Sequence, residues 1–282
     1  MPSHYAHYYF GNEVVRIMPG DVKDIINHDG DTLDAYMMGL HGPDFLAFYR
    51  PWTKNALKKE GSQIHNAPGR EFLQGAAAKL KANPKPEAYS YIFGCINHFV
   101  LDAYCHPVVT EYMAKSSLTH GKLEREFDNF VLQICRKSPR RVNLDRLFPH
   151  SEHLDEIISG FYRSTTPSRT HEAIETMNSI LSAFSQPKRS TRHTIYRLLS
   201  LIPKESIRDS RDMIYREDPE PRAMECNGRM FDALNKAVTT ASTELDAFMN
   251  YMLLDEPLDE FFNRNYLGEE LPSGNNPSHN EC

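Results

Sequence analysis

The sequence predicts an all-α protein, a single multi-helix bundle with a metal site in its core. Apolar residues recur at helical spacing along most of the 282 residues, and convincing strand alternation is missing. Prolines fall between the helical segments, where they end one helix or begin the next. The segment 86–105 is apolar nearly all round, which is typical of a helix buried in the centre of a bundle.

The predicted helices follow one another as periodic segments bounded by turn residues. They cover residues 12–18, 31–40, 70–82, 87–105, 118–137, 152–163, 169–184, 191–201, 225–254 and 257–264. The segment 204–223 is highly charged and weakly periodic, so we interpret it as solvated surface. The tail 268–282 has the composition of a disordered chain end. We therefore expect one domain over residues 1–267 and a flexible tail over 268–282.

Composition and charge argue against several classes of protein. A formal net charge of −6 disfavours binding to a nucleic-acid duplex, which normally needs a basic face. No uninterrupted apolar run approaches the ~18 residues of a transmembrane helix. The start of the chain lacks the basic and apolar regions of a secretory signal. Since the five cysteines are also irregularly spaced, we expect a cytoplasmic protein with free thiols.

Five metal-type side chains stand at helical spacing between residues 97 and 130. His98, Asp102 and His106 are each four residues apart, so that they share one face of a helix. His120 and Glu124 repeat this spacing in the next predicted helix. Imidazole nitrogens and carboxylate oxygens are the ligands that zinc takes when no thiolate is used. Because polar groups on an apolar helix are costly unless they bind something, the two sets predict a metal site.

Further ligands would come from the N-terminal part of the chain. His4 and His7 precede the first predicted helix, Asp44 lies in a predicted turn, and His65 lies in a predicted loop. Taken singly, each is explained equally well as an exposed histidine, a helix cap or a solvated loop residue. The other histidines have no comparable partners, and we treat them as structural or surface groups: His28, His41, His150, His153, His171, His193 and His279.

The order of these residues resembles the zinc-dependent phospholipase C family, all-α metallophosphoesterases that are akin in fold to the single-strand-specific zinc nucleases. The family pattern runs from an N-terminal His through an Asp and a His to a helical His-x-x-x-Asp with a further His. It ends in His-x-x-x-Glu, and the stretch HGKLEREFDNF is its most specific match here. The resemblance covers roughly residues 1–135, and its ligand positions fall on His7 (or His4), Asp44, His65, His98, Asp102, His106, His120 and Glu124.

Two features depart from the pattern of the secreted members. Their central Asp and the following His are six residues apart with a proline bend between them, whereas Asp102 and His106 are four apart and Pro107 follows. We therefore expect the helix to end or kink at His106 and to aim it at a neighbouring metal. The secreted enzymes also bind zinc through a mature N-terminal Trp. In this chain the Pro2 amine or His4 would take that place.

The resemblance implies a centre of two or three Zn²⁺ ions. One ion would be held by Asp44, His65, His98 and Asp102, a second by His106, His120 and Glu124, and a third by His7, Asp102 and the N-terminal region. The implied reaction is hydrolysis of a phosphodiester by metal-activated water, with Asp44 as the candidate general base. The implied partner is a phosphate-ester substrate, either phospholipid or a soluble compound. We interpret the aromatic stretch 45–52 as core rather than as an entrance for lipid.

Two other interpretations stay open. The chain would be an HD-type phosphohydrolase if His28 and Asp29 formed its His-Asp pair, but that leaves all five ligands of the central helices unused. The fold would be a non-catalytic zinc- or lipid-binding module if protein groups filled every coordination position of the metal. The sequence shows no heptad seam, so it predicts no oligomeric state.

Overall fold

The computed structural model describes residues 4–138, 147–185, 188–202, 209–215 and 219–271. Within these ranges the chain is helical, with an isolated bridge between Arg264 and Glu270, and the prediction of an all-α protein is confirmed. The α-helices are α1 (His4–Ile17), α2 (Gly20–Ile26), α3 (Gly30–Gly39), α4 (Ala56–Asn66), α5 (Gly69–Ala82), α6 (Pro86–Ser116), α7 (His120–Ile134), α8 (Glu152–Ser159), α9 (Pro167–Phe184), α10 (Arg189–Ser200) and α11 (Met224–Leu253). Short 3₁₀ helices cover Gly42–Phe48, Asp209–Met213, Pro221–Ala223 and Glu260–Asn263, the last where an α-helix was predicted.

Helix α6 is the centre of the bundle, as its apolar sequence predicts. Most of its residues between 88 and 106 are buried, and it packs most extensively against α3 and α11. The crossing with α3 is close because glycines meet there. A Cβ atom on Gly39 would lie 2.1 Å from the carbonyl oxygen of Tyr91, and one on Gly94 would lie 2.4 Å from that of Tyr36. Small residues at this crossing therefore allow the two backbones to touch.

Helix α6 does not end at His106, so this part of the prediction is wrong. It continues through Pro107 to Ser116, so that the whole helix is 31 residues long. Proline lacks the N–H that would bond to the carbonyl four residues earlier, which here belongs to Ala103. Gly268 approaches this carbonyl and the proline ring, with a φ of 78° that glycine adopts without strain. A chain segment from the C-terminal part of the sequence therefore packs closely against the helix at the proline.

Helix α1 begins at His4, well before the predicted start at residue 12. A carboxylate from α7 binds the free N–H groups at its start. Asp128 accepts hydrogen bonds from the backbone N–H groups of Tyr5 (3.1 Å) and Ala6 (2.8 Å) and from the hydroxyl of Tyr215 (2.6 Å). Negative charge at a helix N-terminus is stabilising. The prediction began too late because the group that caps the helix lies more than a hundred residues away in the chain.

Helix α4 was not predicted, and it carries His65 in its last turn rather than in a loop. The helix begins after Asn55, whose side chain accepts a hydrogen bond from the N–H of Lys58. It contains few apolar residues and buries only Leu57 and Gly61. Its start signal was present in the sequence, but its buried face was too small to mark it.

The aromatic stretch 45–52 belongs to the core only in its first part, where Phe45, Leu46 and Phe48 are buried. These three side chains belong to the hydrophobic core and lie in the same 3₁₀ helix as Asp44. Trp52 is 47 % exposed, so the interpretation of the stretch as core is wrong at its end. No described helix combines the length and the apolar character that crossing a bilayer requires.

The charged segment 204–223 is not all solvated surface. Ile214, Tyr215 and Ala223 are buried, so the sequence interpretation is wrong at these three described positions. Of the predicted tail 268–282, residues 272–282 lie outside the described part of the chain. The division into one domain and a tail stays a prediction.

Candidate metal centre

A row of buried side chains on α6 forms the middle of the candidate centre. His98, Asp102 and His106 are at most 4 % exposed. One carboxylate oxygen of Asp102 lies 3.2 Å from His7 Nε2. The other oxygen lies 3.4 Å from His98 Nε2 and 3.9 Å from His106 Nδ1. Asp102 therefore stands between three imidazoles, where a carboxylate that bridges two metal ions would stand.

The first group of candidate ligands joins the N-terminal part of the chain to α6. Asp44 comes from the 3₁₀ helix Gly42–Phe48, His65 from α4 and His98 from α6. His65 Nε2 lies 2.9 Å from Asp44 Oδ1, and ligand atoms of the three residues lie within 4.8 Å of one another. Gly42 permits this approach, because a Cβ atom there would lie 2.5 Å from the His98 ring. The structure thus brings together three residues that the sequence keeps far apart.

The second group lies where α6 meets α7. Glu124 Oε1 is 2.6 Å from His120 Nε2, its neighbour one turn away on α7, and 3.4 Å from His106 Nε2 on α6. Ligand atoms of all three residues lie within 4.8 Å of one another. His106 therefore points to the ligands of α7, as expected, although α6 remains helical beyond it.

The third group consists of His7, His98 and Asp102. The rings of His7 and His98 stack with their centroids 4.4 Å apart. Of the two N-terminal alternatives, His7 joins the centre, whereas His4 lies outside all the groups found in the described residues. Pro2, the other candidate for this site, lies outside the described residues.

Three of the imidazoles are held in the same way, by a hydrogen bond from Nδ1 to a backbone carbonyl. This arrangement fixes the ring orientation and leaves Nε2 as the nitrogen available to a metal. The carbonyl oxygens belong to residues from separate parts of the chain. His65 donates to Gly61 (2.8 Å), His98 to Leu40 (3.1 Å) and His106 to Tyr266 (2.6 Å).

Buried atoms without hydrogen-bond partners show that this donor set suits a cation. Among the described residues, no hydrogen bond reaches Asp44 Oδ2, His98 Nε2 or Asp102 Oδ2. Such atoms are costly to bury unless they bind something. All eight predicted ligands are imidazoles or carboxylates, the ligands of zinc sites that lack thiolate. The nearby Cys105 adds no thiolate, because burial raises its pKa well above the usual range.

The charges of the centre favour a bound cation. Burial alone would raise the pKa of Asp44, but the imidazoles of His65 and His98 outweigh it and hold that pKa well below its usual range. Burial alone would likewise lower the pKa of His106, but the carboxylates of Asp102 and Glu124 raise it to about 9. The carboxylates are therefore ionised at neutral pH, and some imidazoles hold protons that a metal ion would displace.

The centre is open to solvent at two of its ligands. The side chains of His65 and His120 are 21 % and 32 % exposed, whereas the other members of the three groups are buried. A small cavity lies between the second and third groups, lined by His7, Asp102, His106 and Glu124 and by apolar side chains. Solvent therefore reaches the centre at these two histidines, whereas its other ligands are shielded.

Other polar residues around the centre were not predicted from the sequence. His41, which we treated as structural, is buried beside His4 with the two ring centroids 5.5 Å apart. Burial lowers the pKa of His4 to about 4, so its imidazole is neutral. Asp128 caps α1 and thereby positions His7. No local pattern in the sequence indicates these roles, since each depends on contacts between distant segments.

The HD-type alternative finds no support in the structure. The side chain of Asp29 accepts a hydrogen bond from the N–H of Thr32 and caps helix α3. The side chain of His28 is 66 % exposed, and its only described carboxylate neighbour is Asp29, 4.0 Å away. The dipeptide is therefore a turn and a helix cap.

The comparisons with known proteins agree with this geometry. A family model described as zinc dependent phospholipase C matches residues 6–184. No curated protein and no solved structure matches the chain. The matched range contains every residue of the three groups.

Proposed function

The chain belongs to the zinc-dependent phospholipase C family, and from that premise we propose that its buried centre hydrolyses a phosphodiester with water. The observation that carries this proposal is the sharing of ligands between groups. His98 belongs to two of the three groups, and Asp102 contacts members of all three. Ions bound in neighbouring groups would therefore lie close together, as they do in multi-metal phosphoesterases.

The residues of the three groups would hold zinc in the way the resemblance implies. Bound zinc would supply Lewis acidity toward water and toward the phosphate oxygens. Asp102 would join the first and third sites, and the hydrogen bonds of His65, His98 and His106 to backbone carbonyls would keep each ring in place. Because these rings cannot turn freely, the site would be organised before the substrate binds.

Asp44 is the residue that we propose as the general base. Its carboxyl is ionised at neutral pH, and its Oδ2 atom has no hydrogen-bond partner among the described residues. Its Oδ1 atom lies near His65, the member of the first group whose side chain is partly exposed to solvent. The carboxylate would accept the proton of the attacking water as the water oxygen bonds to phosphorus. The bond from phosphorus to the alcohol oxygen would then break, and that oxygen would take up the proton that Asp44 accepted, giving a phosphomonoester and an alcohol.

The class of substrate is the part of the proposal that needs direct measurement. Family membership points to a phospholipid, and the same chemistry applies to a soluble phosphodiester. A cytoplasmic location, which stays a prediction, would favour the soluble compound. We propose phosphodiester hydrolysis as the activity, and the experiment below distinguishes a phospholipid substrate from a soluble phosphodiester.

A panel of three substrates tests the proposed activity. The zinc-loaded chain would be assayed on bis-p-nitrophenyl phosphate, on p-nitrophenyl phosphate and on phosphatidylcholine vesicles. We expect cleavage of the diester and its loss in Asp102→Ala, with unchanged helical content by circular dichroism. His153→Ala is a suitable control, because that histidine pairs with Glu87 at 3.2 Å and belongs to none of the candidate ligand groups found in the described residues. Cleavage of phosphatidylcholine would identify the lipid, and cleavage of the small diester alone would identify a soluble substrate.

The non-catalytic alternative gives a different result in the same assay. A zinc- or lipid-binding module would take up zinc with full helicity and would cleave none of the three substrates. Preferential cleavage of the monoester would also contradict the proposal. Either outcome would leave the metal assignment intact and would reject the reaction.

A further inference from the structure

We propose that the protein has a second, separate zinc site on its surface, formed by His150, His171 and Glu175. Ligand atoms of these three residues lie within 4.8 Å of one another. None of them belongs to the buried centre, and from the sequence we interpreted both histidines as structural or surface groups. The site does not depend on the proposed hydrolysis.

Helix α9 supplies two of the three ligands. His171 and Glu175 are four residues apart, so that both side chains project from the same face of the helix. His150 comes from the segment just before α8, and its ring lies 5.3 Å from that of His171. Two imidazoles and one carboxylate form a ligand set that binds zinc and leaves one position open to water or to another ligand.

A buried carboxylate supports one of the two imidazoles. Asp155 Oδ2 lies 2.8 Å from His171 Nδ1, and its side chain is only 2 % exposed, whereas His171 is 49 % exposed. Asp155 Oδ1 has no hydrogen-bond partner among the described residues. A carboxylate on the inner nitrogen of a histidine fixes the tautomer and leaves the outer nitrogen for a metal. A buried charge that serves only an exposed histidine would otherwise be costly to maintain.

The second imidazole is anchored by the backbone. His150 Nδ1 lies 3.4 Å from the carbonyl oxygen of Phe148, which also accepts a hydrogen bond from Asn178 of α9 at 3.2 Å. Phe148 is buried, so this part of the chain is fixed against α9. His150 Nε2 then lies 2.9 Å from Glu175 Oε1. If Nδ1 carries a proton for Phe148, the space between Nε2 and the carboxylate needs a second proton or a metal ion.

The charges at this surface favour the metal. Asp155 and Glu175 both contact the imidazoles, and each brings a negative charge when ionised. A divalent cation would neutralise both carboxylates, whereas a proton on one imidazole neutralises only one. His153 on α8 provides a contrast, because it pairs with Glu87 at 3.2 Å and belongs to no group of three ligands among the described residues.

Zinc binding to variants tests this site. Zinc bound per chain would be measured by equilibrium dialysis for the full chain, His171→Ala, Glu175→Gln and the control His153→Ala. We expect His171→Ala and Glu175→Gln each to lose one zinc equivalent or to bind it at least ~10-fold more weakly, and His153→Ala to match the parent chain. Asp155→Asn, which alters a positioning residue, should weaken the same equivalent by about 10–100-fold.

Imidazole nitrogen resonances provide a readout that activity cannot affect. In a ¹⁵N-histidine-labelled chain, addition of zinc should shift the Nε2 resonances of His150 and His171, and should leave that of His153 in place. Equal zinc content in all variants, together with unshifted His150 and His171 resonances, would overturn the proposal. Failure of the buried centre would look different, since it would remove the equivalents that depend on Asp102 and would leave those that depend on His171.

Discussion

Gly42 shows how a single residue controls the candidate centre. Its φ is 45°, a conformation that glycine adopts more readily than other residues, and an added Cβ atom would lie 2.5 Å from the His98 ring. We predict that Gly42→Ala displaces this ring and lowers zinc affinity at least ~10-fold, because a ligand shared by two groups is moved. The backbone strain should cost a further ~1–2 kcal/mol of unfolding free energy.

Gly61 offers a matched control on neighbouring α4. A Cβ atom there would meet Leu46 Cβ at 3.4 Å, an ordinary contact distance, and the carbonyl that holds His65 would remain. We expect Gly61→Ala to bind zinc with the affinity of the parent chain. Competition with a chelator measures both affinities. Equal affinities for both glycine variants would contradict the position assigned to His98.

Individual ligands on α6 and α7 could be predicted from the sequence because their spacing is local. His98, Asp102 and His106 share one helix face, and His120 and Glu124 share another, so periodicity alone groups them. The contacts between the two sets depend on how the helices cross. The raised pKa of His106 likewise could not be predicted from the sequence, since it depends on the carboxylates of Asp102 and Glu124 beside the ring.

At the scale of the elements, the crossing of α3 and α6 depends on Gly94. We predict that Gly94→Ala lowers the unfolding free energy by about 3 kcal/mol, since its Cβ would lie 2.4 Å from a backbone carbonyl that cannot move freely. Urea denaturation followed by circular dichroism measures this change. Gly75→Ala on α5 is the control, because nothing lies within 4 Å of its added Cβ. It should stabilise the protein by up to ~1 kcal/mol, and a similar loss in both variants would refute the close crossing.

Helix α11 carries a buried carboxyl that makes stability depend on pH. Burial, together with Asp259, raises the pKa of Glu244 to about 8. The folded protein then holds this proton at pH values where the unfolded chain has released it, so stability from this group falls as pH rises from ~4.5 to about 8. We predict that Glu244→Gln raises the melting temperature at pH 8.5 relative to the parent chain, and has a smaller effect near pH 5.

The neighbouring Asp246 is exposed on the same helix and gives a control for that comparison. Thermal melts of Asp246→Asn should follow the parent chain at both pH values. A Glu244→Gln variant whose melting temperature differs from the parent by the same amount at both pH values would show that the carboxyl is ionised throughout.

Elements that depend on distant partners are those that the sequence did not predict. The early start of α1 requires Asp128 of α7, and the passage of α6 through Pro107 is accompanied by the approach of Gly268. Helix α4 contains few apolar residues, and its buried face of Leu57 and Gly61 is too small to mark it in the sequence. In contrast, α6 was predicted because its own sequence is apolar nearly all round.

At the scale of the whole molecule, the centre assembles where α1, the 3₁₀ helix Gly42–Phe48, α4, α6 and α7 converge. The part of the chain beyond the family match also contributes. Helix α11 packs against α6, and the carbonyl of Tyr266 holds His106. No local pattern could show this convergence, so the grouping of the N-terminal ligands with α6 came from the resemblance to a family. The structure brings His7, Asp44 and His65 to α6, and their roles as ligands stay a prediction.

The most direct test of the central claim is the rate of phosphodiester hydrolysis as zinc is added to the metal-free chain. We predict that activity rises as the buried centre fills, with up to three equivalents for its three groups, and that Asp102→Asn remains inactive while keeping its helical content. If the chain binds these equivalents and hydrolyses no diester, or if Asp102→Asn hydrolyses it at the parent rate, the buried centre is not a phosphoesterase site.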